Sequence, residues 1–174
     1  VFGTAFTFFS LRSTLVLKRF FATPIKRQYI LLGEAFSRLF FQIVTTLIIL
    51  FIGKYAFNFT LIHGAVTVIN MVIVSSLAFL VFMGFGFVIS GIAKTESVIP
   101  PFANIITLPQ LMLSGTFFPI EAFPKWMQPL CNFLPLTHLN NALRNIAYDG
   151  YNLLQVWQPV GILLLWGIAV YFLA

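Results

Sequence analysis

The chain has 174 residues, 60% of them hydrophobic and only 8% charged, with a mean hydropathy of +0.99. A soluble domain carries about 25% charged residues; here there is too little polar surface to cover a water-exposed globule, and the expected solvent is largely lipid. The net charge of +6 would point to nucleic acid in a soluble protein, but six of the ten Lys and Arg residues (Arg12, Lys18, Arg19, Lys26, Arg27 and Arg38) fall in one stretch beside membrane-length apolar runs, the pattern of a cytoplasmic loop, and no nucleic acid is expected as a partner.

Residues 1–11 read as the tail of a membrane helix that begins upstream, because they lack the basic lead-in and cleavage site of a signal peptide. The chain accordingly reads as an internal or C-terminal piece of a longer protein. Within the basic stretch lies a short helix candidate, residues 14–21, in which Leu17, Phe20 and Phe21 share one face while Lys18 and Arg19 point elsewhere. Thr23-Pro24 breaks it, since a residue before proline is held out of the helical region, and Pro24 suits the first turn of the next helix. Glu34 and Arg38 are four apart, in the order that supports an i,i+4 pair. Residues 39–57 are the first expected full span, about 20 apolar residues being enough to cross a bilayer. Residues 65–93 exceed what a perpendicular span needs, so tilt or bending is expected. Their Gly84, Gly86 and Gly91 permit close helix contact, and Asn70, Ser75 and Ser76 can bond between helices.

A polar turn over residues 94–97 leads into an expected span over residues 99–118, opened by Pro100-Pro101 and kinked at Pro109. Residues 119–152 are too polar to span and too apolar to be a free loop. Pro124 can start a short helix whose apolar faces come from Trp126, Met127, Leu130, Phe133 and Leu134. Pro135 breaks it. Thr137 can cap a second helix reaching about Tyr148, with Leu139, Leu143 and Ile146 on one stripe and Asn140, Asn141, Arg144 and Asn145 largely opposite; Gly150 suits its end. Two short amphipathic helices between spans read as a re-entrant or interface-lying hairpin. Residues 153–174 form the last expected span, with Trp157 and Tyr171 as an aromatic belt. The fold class is therefore all-α: a polytopic transmembrane helix bundle. By parity the basic stretch and Lys94 lie inside, and Lys54, Lys125 and Arg144 lie outside, seven cations against three, in the direction that the positive-inside rule requires.

Several chemistries have no motif here. There is no GxxxxGK[ST] phosphate loop, so this chain alone is not expected to hydrolyse nucleotide. His63 and His138 have no metal-ligand spacing to other donors. Glu34, Glu96, Glu121 and Asp149 are scattered through loops and helix ends, which argues against a proton relay. Two readings of the basic helix stay open on residues alone: electrostatic anchoring to anionic lipid, or a docking rod for a cytoplasmic partner. An arginine such as Arg144 in an apolar hairpin is costly unless partnered, so a structural bond to Asp149 or to a carbonyl is expected of it.

Two stretches carry a resemblance. The first is Leu17-Lys18-Arg19-Phe20-Phe21-Ala22-Thr23-Pro24-Ile25, followed by Leu32-Gly33-Glu34. The second is Leu113-Ser114-Gly115-Thr116-Phe117-Phe118-Pro119-Ile120, then Phe123-Pro124-Lys125-Trp126, Leu134-Pro135-Leu136-Thr137-His138, Ala142-Leu143-Arg144 and Asp149-Gly150. Over nearly the whole chain the sequence resembles the permease subunits of ABC-2 type transporters. The resemblance implies one six-span transmembrane domain, of which residues 1–174 would hold the end of the second span through the sixth. The first span and any external domain would lie upstream. It implies a bilayer location, in a bacterial cytoplasmic (inner) membrane, pairing with a second permease as a homodimer or heterodimer, and a separate or fused ATP-binding cassette ATPase that would bind ATP and Mg, with no cofactor and no metal on this chain. Leu17, Lys18, Arg19, Phe20, Phe21, Thr23 and Pro24 match the coupling helix that meets the ATPase. Ser114, Gly115, Phe118, Pro119, Pro124, Trp126, Pro135, Thr137 and Arg144 match the outer re-entrant hairpin that gates the exit. The implied function is export of a hydrophobic or amphipathic substrate of the drug, lipid or glycan class. The alternative is a membrane-embedded enzyme or assembly scaffold, which would need clustered His or carboxylate groups.

Overall fold

In lipid a chain must satisfy its backbone polar groups internally, and the long apolar runs do so as helices. The computed structural model describes residues 1–13, 27–56 and 64–174. Among them it contains helices α1 (Phe2–Ser13), α2 (Arg27–Ala56), α3 (Ala65–Ile92), α4 (Ile99–Leu113), α5 (Gln128–Phe133), α6 (Pro135–Tyr148) and α7 (Trp157–Leu173), and no strand. Single 3-10 turns at Glu96–Val98 and Ile120–Ala122 lead into α4 and towards α5. Two stretches, Leu32–Ala56 of α2 and all of α3, are long and apolar enough to cross a membrane. At 28 residues, α3 is about 42 Å long, against about 30 Å of hydrocarbon.

α3 is the hub. It touches α1, α2, α4, α6 and α7, and it carries a separate core at each end. Near its start, Val74 packs with Ala142 and Ile146 of α6 and with Val156 ahead of α7. Near its end, Ile89 and Ala93 pack with Ala5 and Phe9 of α1 and with Ile99 and Ala103 of α4. Two glycines let neighbours approach closely. A Cβ on Gly86 would stand 2.7 Å from Thr4 Cβ and 2.9 Å from the Val1 carbonyl, and one on Gly84 would stand 2.9 Å from Val170. Gly91 has open space where its Cβ would be; its carbonyl serves instead. Arg12 donates from Nη1 to the carbonyls of Ser90 (3.2 Å) and Gly91 (3.1 Å), satisfying orphan acceptors at the end of α3 with a cation, where the helix dipole favours one.

Several boundaries differ from the sequence reading. α2, the helix expected after Pro24, begins at Arg27, residues 27–38 being mostly good helix formers with no proline among them, and its membrane-length apolar stretch begins at Leu32 rather than at residue 39. Glu34 and Arg38 sit on this helix and pair as their i,i+4 spacing predicts. α4 ends at Leu113, five residues short of the expected end at 118, because Gly115 turns the chain with φ of 78°. α7 starts at Trp157 rather than at residue 153, after a turn in which the Asn152 N–H donates to Gln155 Oε1 (2.9 Å). The expected turn at 94–97 and the proline-opened α4 are present, with Pro109 inside the helix.

Arg38 makes the joint between α1 and α2. Its Nε donates to Glu34 Oε1 at 2.6 Å, and its Nη2 donates to Thr7 Oγ1 at 2.6 Å and to the Gly3 carbonyl at 3.1 Å. A charged side chain on an apolar helix becomes tolerable when the pair is neutral and its donors are used. Ser76 of α3 donates to Gln42 of α2 at 3.3 Å, so one of the polar residues foreseen on α3 does bond between helices.

Candidate functional site

The residues between α4 and α7 form a hairpin tied at both its tip and its flank. α5 is a turn and a half long, and its last carbonyls face the start of α6. Pro135 occupies the first turn of α6, where a missing N–H costs nothing, so the proline that stops α5 also starts its neighbour. Leu134 is the N-cap. Thr137 does not cap, contrary to the sequence reading: it lies buried inside the first turn and its Oγ1 donates to the Cys131 carbonyl at 2.5 Å. The cap is not needed because α5 approaches so closely that its carbonyl claims the hydroxyl.

The tip lies deep along α7. Trp166 Nε1 donates to the Phe133 carbonyl at 3.0 Å, and the two rings meet edge-on with centroids 5.1 Å apart. Trp166 is nine residues into α7, about 13 Å along its axis. From there α6 climbs back beside α7, and its far end, Ile146, meets Val156 ahead of α7. Gly150, with φ of 68°, ends the hairpin.

The flank of α6 holds the end of α4. Asn140 Nδ2 reaches the Ser114 carbonyl (3.1 Å), Ser114 Oγ (3.3 Å) and Thr116 Oγ1 (2.8 Å). One turn on, Arg144 Nη2 donates to the Gly115 carbonyl at 2.9 Å. Ser114 and Thr116 hydroxyls share a bond of 2.8 Å. These contacts take up carbonyls that a helix stopping among apolar neighbours leaves unpaired. One turn before Ser114, Gln110 is buried and its Oε1 has no partner among the described residues. Burial lowers the pKa of His138 from its ordinary value near 6.5, opposed by a hydrogen bond to the Asn132 backbone.

Of the site residues read from sequence, the structure gathers Ser114, Gly115 and Arg144 in this latch and Pro135 and Thr137 at the tip. Arg144 finds a carbonyl rather than Asp149. Phe118 and Trp126 are exposed and stand apart from the latch. The Pro119 carbonyl accepts the Ala122 N–H and the Pro124 carbonyl accepts the Met127 N–H, so both prolines shape the approach to α5. Asn140, Thr116 and Trp166 were not foreseen. The available signal for Asn140 was its i,i+4 spacing from Arg144. Leu17, Lys18, Arg19, Phe20, Phe21, Thr23 and Pro24, with the helix candidate they define, lie outside the described residues. No group of three His, Cys, Asp or Glu among the described residues is placed to hold a metal. Among the described residues the latch holds no carboxylate, and its Ser114 and Thr116 hydroxyls bond to each other and to the Asn140 amide rather than to a base; what it offers is a held turn.

A family model described as "ABC-2 type transporter" matches residues 1–148, from α1 through the end of the latch helix α6. The chain belongs to the ABC-2 type transporter family and is a membrane protein. It is 33% identical over 160 residues to ABC transporter G family member 20 of Dictyostelium discoideum, covering 91% of this chain and 22% of that one. It is 27% identical over 144 residues to the probable multidrug ABC transporter permease YbhR of Escherichia coli K12, covering 83% and 38%. It is 30% identical over 94 residues to the linearmycin resistance permease protein LnrN of Bacillus subtilis, covering 54% and 24%. The chain thus spans well under half the length of these curated relatives. No solved structure matches it.

Proposed function

We propose that the chain is the membrane-spanning part of an ATP-binding cassette exporter permease that moves a hydrophobic or amphipathic substrate and is driven by a partner ATPase. The family match over residues 1–148 carries this reading, supported by relatives whose names include "multidrug" and "permease". The protein sits in a bacterial cytoplasmic membrane, with the basic stretch and the end of α3 on the inner side and the α5–α6 hairpin on the outer side. It pairs with a second permease, and the substrate path runs at their interface. Leu17–Pro24 is the coupling helix. Closure of the ATPase on nucleotide pushes that helix, and the facing spans rearrange as packed elements with discrete positions. At the far end the latch between α4 and α6 transmits that rearrangement to the hairpin, which opens and shuts the exit.

The test uses the full-length permease with its ATPase in vesicles. Phe20→Asp, or deletion of residues 21–24, is expected to leave membrane insertion intact while abolishing the substrate-dependent rise in ATP hydrolysis and the export that goes with it. Normal export by either variant removes the coupling assignment. Sidedness is checked by thiol labelling from outside intact cells: Lys125→Cys is expected to react and Lys26→Cys is not, and the reverse pattern inverts the molecule.

A further inference from the structure

Away from the hairpin, at the end of α3 capped by Arg12, α1, α2, α3 and α7 line an open-sided cavity of about 660 Å³. That lies within the range of small-molecule sites, about 300–1,000 Å³. Its walls are apolar: Phe8 from α1, Leu32 from α2, and Leu80, Met83 and Phe87 from successive turns of α3. α4 and the hairpin contribute nothing to its lining, so it is separate from the latch. Among the described residues, its one charged lining side chain is Arg12. A guanidinium carries five N–H donors. Nη1 is committed to the Ser90 and Gly91 carbonyls, while Nε and Nη2 of Arg12 meet no acceptor among the described residues. No Asp or Glu is among its described lining residues; Glu34, two residues beyond Leu32 in sequence, is already bonded to Arg38 at 2.6 Å.

An apolar slot that runs along three turns of α3 and ends on a cation with spare donors complements one kind of molecule. A neutral hydrocarbon would leave the Arg12 donors unused. A cationic amphiphile would be repelled, and the slot has one cationic end and not two. We propose that this cavity binds an anionic single-chain amphiphile of the fatty-acid or lysophospholipid class, its chain beside Leu80–Phe87 and its head group on Arg12. The proposal does not depend on the direction of transport or on the ATPase.

The experiment uses the full-length protein in uncharged detergent and a set of photoactivatable sixteen-carbon chains ending in a carboxylate, a phosphate ester, an alcohol or an amine, with adducts mapped by mass spectrometry. Adducts are expected at Phe8 and between Leu80 and Phe87. Both anionic probes should label about tenfold more efficiently than the alcohol, the discrimination that one charge-assisted hydrogen bond supplies, and a preference for one anion over the other separates the two sources. Arg12→Gln should erase the anion preference while leaving the alcohol's labelling in place, and Arg12→Lys should retain most of it. Leu80→Trp should cut labelling by every probe by filling the slot. Equal labelling by carboxylate and amine, adducts confined to the hairpin or to residues 14–26, or an unchanged anion preference in Arg12→Gln would each overturn the proposal. Because Arg12 also caps α3, the Arg12→Lys and Leu80→Trp proteins decide the matter where Arg12→Gln fails to fold.

Discussion

Arg38 and Arg144 solve the same problem in two ways. Each places a guanidinium among apolar helices and uses it to hold backbone from a distant part of the chain, Gly3 for one and Gly115 for the other. Arg38 also has a carboxylate at 2.6 Å and a hydroxyl at 2.6 Å, so its charge is paired and its Nε and Nη2 donors are used. Arg144 has a carbonyl and no carboxylate within ion-pair distance among the described residues. A neutral cluster is stable to loss of water around it; a cation held by dipoles alone gains from water and holds less tightly. On the gating role proposed above, the α1–α2 joint is the fixed one and the α4–α6 latch is the one that opens.

That contrast is broken first at Glu34. Glu34→Ala leaves Arg38 charged beside apolar helices, and a cost of about 3 kcal/mol is expected, reduced toward about 2 kcal/mol because both side chains are roughly 30% exposed. Thermal unfolding in detergent measures it. The double variant Glu34→Leu/Arg38→Leu should recover most of the loss, since an apolar pair needs no partner. If the double variant is as unstable as the single one, the pair is not what holds the joint.

At the latch the expected loss is smaller. Asn140→Leu strands the Ser114 carbonyl, while the Thr116 hydroxyl keeps its bond to Ser114 Oγ, at a cost of about 2 kcal/mol. Because the latch joins α4 to the hairpin, the same variant should alter export more than it alters insertion, whereas Glu34→Ala should lower both together. Equal effects of the two variants on export per inserted molecule would abolish the distinction between a fixed joint and an opening one. Smaller again is Gly115→Ala. The turn needs φ of 78°, a conformation that costs an L-residue about 1 kcal/mol, while its Cβ would meet Ile120 only at ordinary contact distance, 3.4 Å. Strain without a clash predicts a modest fall in melting temperature and an intact bundle.

The same two arginines show what sequence could and could not reveal. The Arg38–Glu34 pair was legible because its geometry is local: four residues on one helix determine it. The long apolar runs, the proline-flanked hairpin and Gly150 were legible for the same reason. Arg144 could be assigned a carbonyl or Asp149 but not a particular carbonyl, since Gly115 is 29 residues away and no helical period relates them. Thr137 misled because a threonine ahead of an amphipathic run suits an N-cap, and only the approach of α5 redirects its hydroxyl to Cys131. The apolar stretch of α2 begins at Leu32, seven residues before the expected span start at 39, because a span can carry Glu34 and Arg38 once they pair with each other. Gly84 and Gly86 differ from Gly91 only in what the neighbouring helices bring up to them.

The smallest expected effect concerns protons and bears on the hairpin. His138 lies on α6, and burial holds its pKa below the ordinary value near 6.5 despite the bond to the Asn132 backbone. With the folded pKa below the unfolded one, the unfolded chain binds more protons once the pH falls beneath about 6.5. The contribution of His138 to stability is therefore whole above that pH and is lost as the pH falls from there through the folded value. Melting temperatures measured between pH 7.5 and 5.5 should decline more steeply for the native protein than for His138→Gln, whose side chain carries no titrating group. Parallel slopes in native protein and His138→Gln would mean that the imidazole protonates without opposing the fold, and the hairpin would then lack the acid sensitivity that its buried histidine implies.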